Sequence, residues 1–416
     1  MNTYQTDICI VGAGPGGVAA ALQLSYLGIP CIVADKARFP RDKICGDAIS
    51  GKIPTLLRRL DPDILARFDA LSNRHVGVWG IRFVGPNRKI LDIPFYNSER
   101  NDQATSPGYV CRRMDFDQFL IEELKRRDNI VFLEGTEITH FEKTDSGFTL
   151  SDAGGSLRID CRLLLAANGA HSAFSRKYAG LEKDPAHHAA AVRAYYRGVT
   201  GFREGNFIEL HFLKSVLPGY LWIFPLPDGG ANVGLGIRSD IVSRKRINLR
   251  KELLRLIEEE PDIRGRFEHA AIEGDIEGYG LPLGSKERRL SGDGYMLLGD
   301  AGHLIDPFTG EGIGNAFYSG IIAGQLAQKC LEANDFSAEF MKAYDVRVAR
   351  VLGSEMKLSY KLQRMLTYPV VATLLANIIT GNAPLIQSLS KMYTDFELRL
   401  KLANPLFWLR MLVKKR

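Results

Sequence analysis

The sequence predicts an α/β protein: a Rossmann-like nucleotide-binding domain, an antiparallel β-sheet domain inserted into it, and a helical C-terminal region. Three observations predict it. A glycine fingerprint, Asp7-Ile-Cys-Ile-Val-Gly-Ala-Gly-Pro-Gly-Gly17, joins a strand pattern to an Ala-rich helical pattern. A second glycine-broken turn, Gly299-Asp300 through Gly314, follows another short apolar run far along the chain. Between them, His75 to Tyr96 and Ala189 to Ile237 alternate apolar and polar residues as sheet strands do.

Ile8 to Val11 reads as a buried strand, Val18 to Leu27 as a helix, and Ile29 to Ala34 as a second strand ending at Asp35. Gly12, Gly14 and Gly17 fit G-x-G-x-x-G. The first glycine allows the tight turn, the second lets backbone N–H groups approach a pyrophosphate, and the third lets helix and strand pack closely. Candidate cofactor residues here are Gly12, Gly14, Pro15, Gly16, Gly17, Asp35 and Lys36. Asp35 stands at the spacing of a carboxylate that accepts ribose hydroxyls, and it disfavours a 2′-phosphorylated dinucleotide in this pocket.

Asp115 to Arg127 reads as a helix, Ile130 to Leu133 and Leu163 to Ala167 as buried strands, and Arg244 to Glu259 as one charged amphipathic helix. Tyr295 to Leu298 is a strand that ends at Gly299-Asp300. A helical pattern follows from Ile313, so bare backbone at a helix start faces an acid at a strand end, which suits a polar cofactor. The nucleotide domain is then discontinuous, over 1–74, 105–180 and 280–334, with the sheet domain over 75–104 and 181–279. Residues 335–416 are helical, broken at Pro369, Gly381 and Pro384.

The 416 residues carry a net charge of +6 and are 45% hydrophobic, as a globular protein of two or three domains would be. Six dispersed cysteines without a C-x-x-C pair fit a reduced, cytoplasmic compartment, with no disulfide framework and no metal site. No signal peptide or spanning helix is expected, and no basic stripe with interleaved aromatics suggests nucleic acid. After Glu397 come six basic residues and no acid, around Leu402-Ala-Asn-Pro-Leu-Phe-Trp-Leu-Arg-Met-Leu-Val413. This stretch reads equally as a peripheral contact with the inner face of a membrane and as a docked terminal helix with a basic tail. The sequence leaves the oligomeric state open.

Further motifs give a family resemblance. Arg113-Met-Asp-Phe-Asp117, Asn168-Gly-Ala-His-Ser172 and Gly299-Asp300 with Pro307 and Gly310-Glu-Gly312 resemble, in order, the R-x-x-F-D, DG and GD motifs of FAD-dependent oxidoreductases of the p-hydroxybenzoate-hydroxylase-like fold. Asn168 stands where that fold usually has aspartate, which removes a charge. Two segments resemble the geranylgeranyl reductase family within that fold. Pro40-Arg-Asp-Lys-Ile-Cys-Gly46 is similar to P-x-x-K-x-C-G, and Tyr220-Leu-Trp-Ile-Phe-Pro225 with Gly234-Leu-Gly236 is similar to Y-x-W-x-F-P…G-x-G.

The resemblance implies FAD as cofactor, with Cys45 and Gly46 near the isoalloxazine ring and Arg113 (or Arg112) near the pyrophosphate. It also implies Asp300 on the ribityl chain, and Pro307, Gly310, Gly312 and Ile313 around the flavin edge. Tyr220, Trp222 and Phe224 alternate onto one strand face and would wall an apolar substrate channel, with His303 as a further substrate contact. The implied activity is reduction of C=C bonds in an isoprenoid or other apolar lipid by hydride from flavin N5. Cys45, Tyr220 and Trp222 are the candidate catalytic residues. The chain shows no second dinucleotide fingerprint, so the external donor is transiently bound NAD(P)H or a ferredoxin-like protein. A monooxygenase or halogenase of the same fold is the alternative. Tyr220 and Phe224 depart from the halogenases' W-x-W-x-I-P, which argues against halogenation but not hydroxylation. A non-catalytic flavin-binding lipid carrier ranks third.

Overall fold

The computed structural model describes residues 1–95 and 106–380. The basic C-terminal stretch lies outside the described residues. No helix among the described residues is long and apolar enough to cross a membrane.

The nucleotide-binding sheet is built on four parallel pairings. Tyr295–Leu297, Leu157–Ala166, Asn2–Val11, Cys31–Asp35 and Ile130–Glu134 lie side by side in that order. Its strands read as apolar runs because helices and a hairpin cover both faces: Ile8, Ile10, Leu163 and Leu165 face one core, and Cys9, Val11, Leu164 and Ala166 face the other. The hairpin His140–Thr144 and Gly147–Ser151 pairs with the first half of Leu157–Ala166, leaving the second half for Tyr295–Leu297.

The covering sheet has seven strands in the order Ala271–Pro282, His188–Arg197, Ala231–Arg238, Tyr220–Pro225, Ile208–His211, Gly80–Val84 and Ile90–Pro94. All its pairings are antiparallel except that of Ile208–His211 with Gly80–Val84. One face (Leu221, Ile223, Val233, Leu235) buries Leu253, Leu256 and Ile257 of the helix Leu249–Glu259. The opposite face carries Tyr195, Trp222 and Phe224.

Two local readings differ from the structure. The alternating block from His75 splits, because His75–Val78 joins a small sheet with Ala48–Ile49 and Gly108–Cys111. His75 is held there by its ring, stacked on Phe68 at 4.6 Å, and by a 3.0 Å bond to the Phe68 carbonyl. The helix expected over Arg244 to Glu259 is two helices, Ser239–Lys245 and Leu249–Glu259. Arg246 adopts φ 53°, which ends the first, and the Asn248 side chain caps the second by accepting from Lys251 N.

Candidate functional site

Two glycine turns meet through the helices they start, Pro15–Tyr26 and Ile313–Ala333. Gly12 has φ 106°, and a Cβ there would lie 2.4 Å from the Ala167 oxygen; a Cβ on Gly17 would lie 1.8 Å from the Gly12 oxygen. Both positions therefore require glycine for backbone contact. Around Gly14 a Cβ would meet nothing within 4 Å, so this turn opens onto free space. Neither helix start has a side-chain cap, which leaves first-turn N–H groups and the positive end of each helix for an anion or a flavin edge. Asp35 Oδ2 accepts from Ala13 N at 2.6 Å and Oδ1 from Ala37 N at 2.8 Å, fixing the carboxylate at the strand end. The buried Asn168 side-chain oxygen, behind Gly12, has no partner among the described residues. These features fit FAD: a long polar cofactor with a pyrophosphate at one turn and a ring at the other.

A cavity of about 640 Å³ adjoins the turns, a size ordinary for a ligand site. Its wall runs from Pro15, Asp300, Gly310, Gly312 and Ile313, past Cys45, Gly46 and Arg113, along Tyr220, Trp222 and Phe224, to Ala372 and Ala376 of the helix Pro369–Thr380. Leu221 and Ile223 lie in the opposite core, as strand alternation requires. Room for the Trp222 indole comes from Gly234, where a Cβ would lie 2.1 Å from Trp222 Cζ2. The G-x-G that follows the aromatic strand is thus the floor under its tryptophan. Both polar tips of the wall are spent on protein: Trp222 Nε1 donates to Asn232 Oδ1 at 2.8 Å, and Tyr220 OH donates to the Thr309 carbonyl. What remains toward the cavity is apolar.

Cys45 is half-buried on this wall. Burial pushes its thiol above the ordinary range, while the Arg113 guanidinium pulls the other way, so it holds its proton at neutral pH. Arg113 is buried and paired bidentately with Asp117 at 2.8 and 2.7 Å, and Asp117 also takes Arg41 at 2.6 Å. Asp300 pairs with Lys43 at 3.2 Å.

Other expected residues lie elsewhere. Lys36 is exposed and pairs with Glu137 at 3.5 Å. Arg112 does not line the cavity; it lies over the Tyr195 ring at 4.3 Å and bonds Asp228 at 2.7 Å. His303 is buried in the turn at φ 55° and is not among the lining residues; burial lowers its pKa to about 4, so it is neutral. Pro307 also lies off the wall, its carbonyl accepting from Gln363 Nε2 at 2.5 Å.

Three more groups build the site, and sequence reasoning missed two of them, Lys52 and Asn232. Asp306 shapes the second turn by accepting from Phe308 N, Thr309 N and Thr309 Oγ1 at 2.7–2.9 Å. Lys52 reaches Glu311 at 2.9 Å, Glu355 at 3.0 Å and Asn315 at 2.7 Å on the cavity wall. Asn232 joins Trp222 to the Cys45 turn. The one available signal was Ala231-Asn-Val-Gly-Leu-Gly-Ile237, where a polar side chain shares the alternate face with two glycines.

Fold and site together define a flavin-binding α/β oxidoreductase. The FAD binding domain family matches residues 5–219, and the chain belongs to that family. It is similar to the digeranylgeranylglycerophospholipid reductase of Thermoplasma acidophilum, with 29% identity over 350 residues and 83% of each chain covered. It is also similar to the menaquinone reductase of Mycobacterium tuberculosis, with 29% identity over 370 residues, 87% of this chain and 84% of that one. Among solved structures, a geranylgeranyl bacteriochlorophyll reductase-like protein from Thermoplasma acidophilum superposes with a TM-score of 0.78 at 24% identity, covering 91% and 92% of the two chains. The reductase resemblance drawn from the motifs agrees with these matches.

Proposed function

We propose that the protein is an FAD-dependent reductase that saturates C=C bonds in an isoprenoid lipid. The observation that carries this reading is the apolar cavity abutting both glycine turns, on whose aromatic wall each polar tip is already hydrogen-bonded to protein. The substrate class follows the relatives, named for a digeranylgeranyl lipid and for menaquinone.

Bound FAD, once reduced, supplies the hydride. The chain's own part is to orient and protonate. Tyr220, Trp222 and Phe224 hold the flat alkene and exclude water. Cys45, kept protonated by burial, gives its proton to the neighbouring carbon. Arg113 lies close enough to influence that thiol and offsets the charge left behind. The electron donor is transiently bound NAD(P)H or a ferredoxin-like protein.

Peripheral membrane contact fits a greasy substrate. From Met356 to Thr380 the chain has no acid, and Tyr368, Val370 and Leu374 are exposed on the segment that walls the cavity through Ala372 and Ala376.

The test is anaerobic incubation of the reduced holoenzyme with a prenyl lipid, followed by mass spectrometry. A gain of H2 per double bond without oxygen supports the reductase. Product formed only when oxygen is admitted, and carrying an added oxygen atom, would replace it with a monooxygenase.

A further inference from the structure

We propose that Asn232 is a positioning residue, whose one buried amide ties the Cys45–Asp47 turn to the Trp222 wall and so fixes the proton donor relative to the surface that holds the alkene. This rests on the reading above that Cys45 and Trp222 face the reacting bond.

Asn232 is fully buried. Its Oδ1 accepts from Trp222 Nε1, and its Nδ2 donates to the Cys45 carbonyl and to Asp47 Oδ2, each at 2.8 Å. The donor and acceptor inventory permits one orientation. Turned over, the amide would set N–H against the indole N–H and set oxygen against a carbonyl and a carboxylate. An aspartate would likewise bring acceptors to acceptors, and an aliphatic residue would leave three buried polar groups without this partner, at about 1–3 kcal/mol apiece. The amide is therefore specified by chemistry, in a strand where Gly234 and Gly236 share its face beneath Trp222.

The turn it holds is tightly determined. Asp47 sits at φ 64°, uncommon for a side-chain-bearing residue. Its carboxylate also accepts from Tyr195 OH at 2.8 Å and Arg113 N at 3.2 Å, and its carbonyl accepts from Cys111 N at 3.0 Å. Gly46 lies against the aromatic wall: a Cβ there would come within 3.3 Å of Phe224 Cε2 and 3.5 Å of Trp222 Nε1. Asn232 is the side chain that bonds both bodies, the turn through Cys45 and Asp47 and the wall through Trp222. Without it the Cys45 carbonyl and the Trp222 indole lose their shared partner, and the turn keeps its bond from Tyr195 OH to Asp47 on this face of the sheet.

The experiment compares parent, Asn232→Ala and Asn232→Ser holoenzymes. Serine serves as the milder variant if alanine impairs folding. Bound FAD is read by absorbance, and kcat and KM are measured with a prenyl lipid. Cys45 alkylation by iodoacetamide is followed without turnover; the other five cysteines are buried, so the native-state reaction reads this thiol. We expect FAD content to hold and KM to stay within about twofold, because the chain is gripped along the whole cavity. We expect kcat to fall by roughly 10²-fold, the usual effect of a misplacement near 1 Å. Alkylation should quicken by about tenfold as the turn opens locally. Unchanged kcat, or a fall in kcat with unchanged alkylation, overturns the proposal. Should the parent reduce no prenyl lipid, the functional reading fails separately, and unchanged alkylation in both variants would still overturn the tie.

Discussion

The carbonyl oxygen of Gly16 occupies the place a side chain on Gly320 would need: a Cβ there would lie 2.2 Å from it. Gly324 repeats the approach one turn on, against Gln23 at 2.9 Å. These glycines let Ile313–Ala333 lie directly on Pro15–Tyr26, which brings the two helix starts together, with Gly16 against Ala316. Glycine inside a helix costs about 1 kcal/mol against alanine. The sequence carries that cost at Gly320, where contact is backbone to backbone, and at Gly324, where the Gln23 side chain fills the space.

Gly320→Ala should therefore destabilise despite its better helix propensity. Overpacking costs about 1–3 kcal/mol, which outweighs the propensity gain, and the yielding element is the Gly14–Gly17 turn. The expected result is a lower Tm and loss of FAD on gel filtration. Gly353→Ala is the control, because a Cβ there meets only Ala349 Cβ at 3.9 Å. It should leave FAD content unchanged and hold or raise Tm.

Much of this arrangement was legible in the sequence, for physical reasons. Gly12 and Gly17 announce themselves because backbone contact tolerates no other residue, and Tyr220, Trp222 and Phe224 because strand alternation fixes their common face. Lys52 and Asn232 were not legible. Each acts through partners distant in the chain (Glu355 and Cys45 among them), and periodicity carries no information about such meetings. His303 was misplaced for a related reason: a turn residue beside a cavity reads as a contact until the backbone shows which side it occupies.

Lys52 should prove structural for the second turn. Its ammonium, on a side chain 11% exposed, is shared between Glu311 and Glu355. Lys52→Met takes the common cation from two part-buried carboxylates, and breaking such a pair costs about 3 kcal/mol or more. The denaturation midpoint should fall and FAD should dissociate faster. Adding Glu355→Gln should recover part of the loss, since one of the opposed charges is gone. A double variant no better than the single would show that charge is not the cause.

Asp47 should impose a pH dependence of definite sign. Burial raises its carboxyl from 3.8 to about 6, against the opposing pull of bonds from Asn232 and Tyr195 and the charges of Arg193 and Arg113. A raised carboxyl binds its proton more tightly when folded. Its contribution to stability is complete below about 3.8 and is lost as pH rises through about 6. His188 and His303, lowered to about 4 by burial, act oppositely, losing their contribution as pH falls from 6.5 toward 4. Only a difference between variants isolates Asp47. Stability of Asp47→Asn minus parent, measured by denaturant from pH 4 to pH 7, should climb by up to about 3 kcal/mol, since each tenfold change in proton affinity is worth about 1.4 kcal/mol. A flat difference would mean the carboxyl does not titrate in that window.

The helix Pro369–Thr380 makes the last prediction, one that separates membrane contact from chemistry. Its inner residues Ala372 and Ala376 wall the cavity, while Val370 and Leu374 are exposed, 81% and 57%. Lys357, Lys361 and Arg364 precede it without an intervening acid. Apolar side chains beside basic ones favour an anionic bilayer, through buried area and about 1 kcal/mol per cation near the surface. Val370→Asp with Leu374→Asp should release the protein from vesicles containing phosphatidylglycerol in a sedimentation assay. Reduction of detergent-dispersed substrate should be unaltered, since neither residue lines the cavity. Vesicle binding that survives both substitutions would assign the contact to another part of the surface. Activity lost in detergent as well would mean the helix supports the cavity rather than the membrane.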